Sequence, residues 1–522
     1  MFSLFVILVL AAIVRILFSP GFTGSDDVIY AIRGTEIASG IWRPTDYFGE
    51  LRFGINIPIA FFVKILGANL VGFVAWSFVS SLAEIALVFV TALSVWGVRT
   101  AVLAGVLVAL TPIHVGLGSC ALADAPLAFL FTLAVVAFFF AERSRAKWLY
   151  FATGAAIGFS WWIKPIAAVP FALIFVIYAL IYWRWRREWI LVFLGGIFAV
   201  AIEFAVLWIQ FGDPLYTIKA NLAGVNHYFV KSDAPWGSHS PWYYFRQMFL
   251  DGRDMWIVPF LAIGGLFLVV RGETKRGIEN AASGSRYICF WAISSVCMFS
   301  FFFYSVNPVK FIPKQANYAL VFFAPLALLG GYALSRMKRI ARAGALFLFI
   351  LGAMPLSALW QLNDKLHFSA IEKTRSFAKD HPHALVFASS QVLASVVLEN
   401  LSAGRQGTKE NLRPIGALAT DQYVNSGDSN KQQFAIVDPL SPETVQVYPA
   451  KSIANILATC WQKVTSFAPN GEGDRPPVVE LLSQIRSRLP QFVDRHLSFT
   501  NKLISPPVVN VFEFKSGCSL SG

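Results

Sequence analysis

Charge is scarce in this chain. Asp, Glu, Lys and Arg make up 14% of its 522 residues, against 56% hydrophobic residues. A soluble protein carries about a quarter charged residues, so a wholly soluble fold is excluded. Acids are scarcer than bases, 30 against 43, which leaves a formal net charge of +13. There is no Walker A sequence, no G-x-G-x-x-G between a strand and a helix, no H-E-x-x-H and no G-x-S-x-G. These absences argue against nucleotide-driven chemistry, a zinc hydrolase and a serine esterase. The five cysteines (Cys120, Cys289, Cys297, Cys460, Cys518) show no metal-ligand spacing. The first apolar run lacks a basic leader and a small-residue cleavage site, so it reads as a retained helix.

What remains is a mean hydropathy of +0.59 and a succession of apolar segments. After the first, they lie near 69–95, 101–119, 122–140, 148–163, 165–183, 189–209, 255–270, 287–304, 318–334 and 343–360. The reading is mainly α: a polytopic membrane helical bundle of about eleven transmembrane helices. Alternate connections are short and basic, carrying Arg99; Arg143, Arg145 and Lys147; Arg184, Arg186 and Arg187; Arg271, Lys275, Arg276 and Arg286; and Arg336, Lys338, Arg339 and Arg342. Such loops face the cytoplasm, so the net charge requires no nucleic acid. The other connections, and everything after 360, then face outwards. Two further short helices are expected, a surface helix after Asp26 and a surface or re-entrant helix over 55–66. Residues 1–360 form the membrane domain and 361–522 a small extracytoplasmic α/β domain. In the latter, 384–388, 434–437 and 508–514 read as strands, and 451–465 and 478–490 as helices. Cys460 and Cys518 can pair there if the compartment is oxidising.

Ionisable residues recur along the outward edge. Asp26 and Asp27 follow the first span, with Ser25 placed to cap their helix. Arg52 lies in the same loop, Asp124 opens a descending helix, Lys164 ends an ascending one, and Lys310 and Lys314 precede another. Intramembrane ionisable groups are costly to bury unpaired and are candidates for function. Each also has a plainer reading: solvated or capping acids at helix starts, snorkelling lysines, and Trp161 and Trp162 as an aromatic belt. Clustering on one face is what a single active site predicts and what the plainer readings do not.

An N-terminal span, an outward loop with an Asp-Asp pair, an Asp-x-Pro turn at Asp124, many spans and an outer soluble tail resemble the GT-C superfamily of integral-membrane glycosyltransferases. The likeness is closest to its dolichyl-phosphate-mannose-protein mannosyltransferase-like branch, which includes aminoarabinose and galacturonic acid transferases of lipid A. Gly212-Asp213-Pro214-Leu215-Tyr216 resembles a turn found after a later helix in that family. The common Arg-Tyr pair is replaced here by Lys314-Gln315-Ala316-Asn317-Tyr318. The resemblance implies inverting transfer of a sugar from a polyprenyl-phosphate donor to an envelope glycolipid or glycan, at the outer face of the cytoplasmic membrane.

The residues suit that chemistry. A carboxylate can take the acceptor proton, and cations stabilise a departing lipid phosphate. Asp27, with Asp26 beside it, is the expected base, and Asp124 a further catalytic acid. Arg52, Lys164, Lys310 and Lys314 are expected phosphate contacts. Asp27 and Asp124 can also hold Mg²⁺ or Mn²⁺. The loop over 210–254 is a candidate substrate cover through Asp213, Tyr216, His227 and Trp236, or else an interfacial loop in lipid headgroups. Two competing classes remain: a transporter or lipid-linked sugar flippase, and a non-catalytic envelope assembly protein.

Overall fold

The computed structural model describes residues 2–515 apart from 46, 48, 183–185, 226–237, 274–278, 307–308, 406–410, 416–417, 419–431, 440–459, 469–476, 490–496 and 498–499. His227, Trp236 and Cys518 lie outside the described residues.

The bundle opens with α1 (Phe2–Leu17), α2 (Asp26–Ala38), α3 (Phe53–Leu66), α4 (Leu70–Trp96), α5 (Val98–Leu110) and α6 (Pro112–Leu117). It continues through α7 (Asp124–Ser144), α8 (Lys147–Ile163), α9 (Pro165–Tyr182), α10 (Ile190–Phe211) and α11 (Tyr216–Val225). After α12 (Tyr243–Arg246) come α13 (Val258–Glu273), α14 (Glu279–Phe301), a hairpin of β1 (Phe303–Val306) and β2 (Val309–Phe311), α15 (Phe323–Arg336) and α16 (Arg339–Asp380). Six described helices are long and apolar enough to cross a membrane, and four further apolar helices are shorter. The chain is thus a multi-pass membrane protein, while helix length alone does not reach eleven spans. Large apolar residues such as Phe2, Trp208, Ile209 and Ile340 stand exposed on the outside, where lipid, not water, is the natural neighbour.

Local sequence explains the main joints. The expected 101–119 span is broken at Thr111-Pro112, because proline closes α5 and begins α6. At the start of α4, Asn69 accepts the Gly72 N–H at 3.1 Å. Helices α8 and α10 touch backbone to backbone: a Cβ on Gly154 would collide with the Val192 carbonyl, and one on Gly195 with that of Phe151. Small residues are how lipid-embedded helices approach so closely.

Helix α16 runs for 42 residues, straight through the expected domain boundary near 360. It leads into a mixed five-stranded sheet in the order β4-β3-β5-β7-β6, with β3 (Leu385–Ala388), β4 (Leu412–Pro414), β5 (Gln433–Val437), β6 (Trp461–Phe467) and β7 (Val509–Phe514). The connection between the parallel pair β3 and β4 holds α17 (Ser390–Ser402). Ala370, Ile371 and Ala378 of α16 pack with Val392 and Val396 of α17 against Val386, Phe434, Ile436, Val509 and Val511 of the sheet. The expected strands at 384–388, 434–437 and 508–514 are present, and the expected helix over 478–490 is α18 (Pro477–Ser487). The expected helix over 451–465 is corrected at its end: residues 461–467 form edge strand β6, paired antiparallel with β7. The short α19 (Asn501–Ile504) completes the described helices. Cys460 is disulfide-bonded.

Candidate active site

The loop between α1 and α2 folds back on itself before α2. Ser25 stands at the N-cap position but its side chain makes no capping bond. Asp27 does that work: its carboxylate accepts the backbone N–H groups of Thr23, Ser25 and Val28 at 2.5, 2.8 and 3.0 Å. The side chain is fully buried. Burial raises the Asp27 carboxyl above its ordinary range, and the three N–H donors only partly oppose this.

Asp26, one residue earlier, points elsewhere. Its carboxylate accepts the Tyr30 hydroxyl at 3.0 Å and the Tyr47 hydroxyl at 3.1 Å, and pairs with Arg52 at 2.9 Å. Its side chain remains 30% exposed, so one edge of the carboxylate is reachable. Burial pushes its carboxyl up, but the Arg52 and Lys164 charges and the two tyrosine hydroxyls outweigh that and hold it below the usual carboxylate range. Arg52 also meets the Tyr30 hydroxyl and lies over that ring. The Tyr30 hydroxyl oxygen and the Asp26 carboxylate keep its guanidinium ionised despite burial.

Beside this pair stands a second. Lys164, between α8 and α9, meets Asp124 at the head of α7 at 2.7 Å, and both side chains are almost wholly buried. The lysine also sits 4.3 Å from the Tyr318 ring centre. The Lys164 charge reaches Asp26, and that of Asp124 reaches Tyr30. Asp26, Asp27, Arg52, Asp124 and Lys164 are therefore brought to one end of the bundle. Tyr216 joins them indirectly: its hydroxyl holds the backbone N–H and carbonyl of Thr45 at 2.7 and 2.8 Å, bracing the loop that carries Tyr47 and Arg52.

Other expected residues make contacts of their own. Asp213 pairs with Lys219 on the surface at 2.7 Å. Lys310 lies on β2, and among the described residues no carboxylate pairs with it. Lys314 is fully buried and donates to the Ile312 carbonyl at 3.2 Å, with its own backbone bridged to Ser238. Burial pushes its ammonium down to about 8.

Tyr30, Tyr47 and Tyr318 belong to the cluster without having been singled out. Tyr30 was within reach of sequence reasoning, since it follows Asp26 by one helical turn. Tyr47 and Tyr318 arrive through the fold, and no local spacing announces them. The residues do not fit a metal held between Asp27 and Asp124: the former is buried and turned to three backbone donors, and the latter is bonded to Lys164. Among the described residues, no group of three or more His, Cys, Asp or Glu side chains converges to hold an ion.

An apolar groove of about 820 Å³ lies between α8, α9 and α10. Trp161 and Ala168, close to Lys164 in sequence, line it at one end, and Ala179 and Trp189 at the other. It thus runs along the bundle away from the charged cluster.

Residues 28–222 match the family model described as dolichyl-phosphate-mannose-protein mannosyltransferase. No curated protein matches the chain. Among solved structures, ArnT from Cupriavidus metallidurans bound to undecaprenyl phosphate is similar at 14% identity and a TM-score of 0.56, over 88% of this chain and 95% of that one. The apo state of the same protein is similar at 16% identity and a TM-score of 0.56, over 83% and 92%. At such identities the likeness is one of fold. Together, the match over residues 28–222 and the shared architecture bear out the resemblance to the dolichyl-phosphate-mannose-protein mannosyltransferase-like branch of the GT-C superfamily.

Proposed function

We propose that this protein is a membrane glycosyltransferase that moves a sugar from a polyprenyl-phosphate donor to an envelope glycolipid or glycan at the outer face of the cytoplasmic membrane. The observation that carries the reading is the Asp26–Arg52 pair beside Asp124–Lys164 at the head of an apolar groove. A polyprenyl phosphate is apolar along its length and anionic at one end; the groove offers an apolar wall, and Arg52 and Lys164, each paired with a carboxylate in this structure, are the cations that a phosphate would recruit. Undecaprenyl phosphate is bound by the similar ArnT. The basic turns at the other helix ends favour a cytoplasmic position for them, and the disulfide at Cys460 suits an outer domain in an oxidising compartment.

In this reading Asp26, not the expected Asp27, is the base. Its carboxylate is ionised and reachable, whereas Asp27 is committed to shaping the turn. Donor binding brings a phosphate within reach of Arg52 and Lys164, so the Asp26–Arg52 pair loosens and the carboxylate turns to the acceptor hydroxyl. That oxygen attacks the anomeric carbon from the face opposite the phosphate, with inversion. The new glycosidic C–O bond forms as the old carbon–oxygen bond to phosphate breaks. The bonding electrons leave on the phosphate oxygen, stabilised by the cations, and the hydroxyl proton passes to Asp26.

The test is mass spectrometry of envelope glycolipids and glycans from wild-type cells, a deletion strain, and that strain carrying wild-type, Asp26→Asn or Asp27→Asn protein. A sugar-sized mass lost on deletion, restored by the wild type and not by Asp26→Asn, names the sugar and its carrier. Full restoration by Asp26→Asn overturns the assignment of the base. An unchanged envelope in the deletion strain overturns the glycolipid and glycan reading.

A further inference from the structure

The portion of α16 beyond the bundle is laid along the loop that precedes Asp26, one turn after another. Gln361 donates to the carbonyls of Leu17 and Ser19 at 3.2 and 2.8 Å, where α1 ends. Phe368 lies 5.8 Å from the Phe22 ring, which lies 5.8 Å from Phe73 of α4 on its other side. His367 and Ile371 press on Gly24, whose φ of +75° suits glycine. A Cβ there would collide with Ile371 and stand 3.2 Å from the His367 Cδ2. The His367 ring thus lies against the Gly24 turn, with the Gln391 side chain near it. Asp438, at the end of β5, and Lys502 act on it electrostatically. Gln391 belongs to α17, whose Leu398 joins the membrane bundle's core together with Val28, Ala31 and Ile32 of α2.

The loop from Ser19 to Ser25 is thus held from two sides. Asp27 gathers its N–H groups from within, and α16 and α17 press on it from the outer domain. We propose that His367 is a positioning residue, through which the outer domain fixes the Gly24 turn and with it the direction of the Asp26 carboxylate. The inference rests on Asp26 being the base. It gives the outer domain a part in catalysis without contact with substrate. A misplacement of about 1 Å in a reacting group can cost roughly a hundredfold in rate, so a small ring bracing a backbone turn has large leverage.

The experiment uses the full-length protein, with His367→Ala, His367→Asn and Gly24→Ala variants. Hydrogen exchange is followed over residues 19–30 and over β3 and β5, and envelope modification is scored in the deletion strain. The expected result is faster exchange at 19–30 in His367→Ala and Gly24→Ala, unchanged exchange in β3 and β5, and modification lowered about tenfold or more. Undecaprenyl phosphate, used as a binding probe, should bind these variants as it binds the wild type, and His367→Asn should recover part of the lost modification. Wild-type exchange at 19–30 in His367→Ala overturns the proposal. So does faster exchange with full modification, or a general loosening that includes β3 and β5. Exchange needs no substrate, so the clamp is read separately from the transferase assignment: only the latter falls if Asp26→Asn keeps full activity.

Discussion

Two of the groups of buried charged side chains in this bundle differ in what they leave open. Deeper among the helices, Arg15 of α1 donates to Ser81 at 2.8 Å, to the carbonyls of Ala11 and Ala109 at 3.0 and 3.2 Å, and meets the His114 Nδ1 at 2.6 Å. His114 passes the contact to Glu84 at 3.1 Å, and Glu84 takes the Thr132 hydroxyl at 3.0 Å. These groups satisfy one another and all are sealed from the surface. The outer group, Asp26 with Arg52 and Asp124 with Lys164, is bordered by tyrosines, and Asp26 keeps an accessible edge. A closed network ties α1, α4, α6 and α7 together. An open one has bonding capacity left for a ligand. The same residue types are therefore closed on one another in one place and left open to a ligand in the other.

The comparison breaks if substitutions in the two groups have the same consequences. Asp26→Asn should lower transfer by about a hundredfold to ten-thousandfold, the range of general-base catalysis, and leave thermal unfolding close to wild type. Glu84→Gln should do the reverse: removing one partner of a buried ionic network costs about 3 kcal/mol or more, read as a lower melting temperature, while activity per folded molecule is retained. Lys314 sharpens the contrast through pH. Its ammonium is pushed down to about 8, so its charge is present below that pH and lost above it. If it contacts the donor phosphate, undecaprenyl phosphate should bind more weakly as pH rises through about 8, and Lys314→Arg should abolish that dependence. Tyr216→Phe should have the smallest effect. Losing its two bonds to Thr45 amounts to about 1 kcal/mol each at most, and transfer should fall only several-fold.

Much of this was legible in the sequence. Apolar segment length and basic turns give the multi-pass bundle, and the acids Asp26 and Asp124 mark the end where charges gather. Which of two adjacent carboxylates faces the site was not legible. Neighbouring helical residues diverge by about 100°, and the direction each takes here follows from the turn at Thr23–Ser25, whose N–H groups draw in Asp27 and displace Ser25 from capping. Strand β6 was hidden for another reason. Its Trp461-Gln462-Lys463-Val464-Thr465-Ser466-Phe467 has the aromatic and β-branched residues of an edge strand, but its pairing partner β7 lies far along the chain. Tyr318 and His367 likewise become neighbours of the first loop only through tertiary packing.

The unbroken α16 has a further consequence. At about 1.5 Å per residue its 42 residues, with Pro355 among them, amount to about 63 Å of helix, reaching from the basic turn at Arg339 to the sheet. It acts as a gauge block that ties the spacing and the heading of the C-terminal sheet to the bundle. One inserted residue would lift that sheet by about 1.5 Å and swing it by about 100°, carrying His367 off the Gly24 turn. Between residues 361 and 380 the chain should therefore accept substitutions far more readily than changes in length.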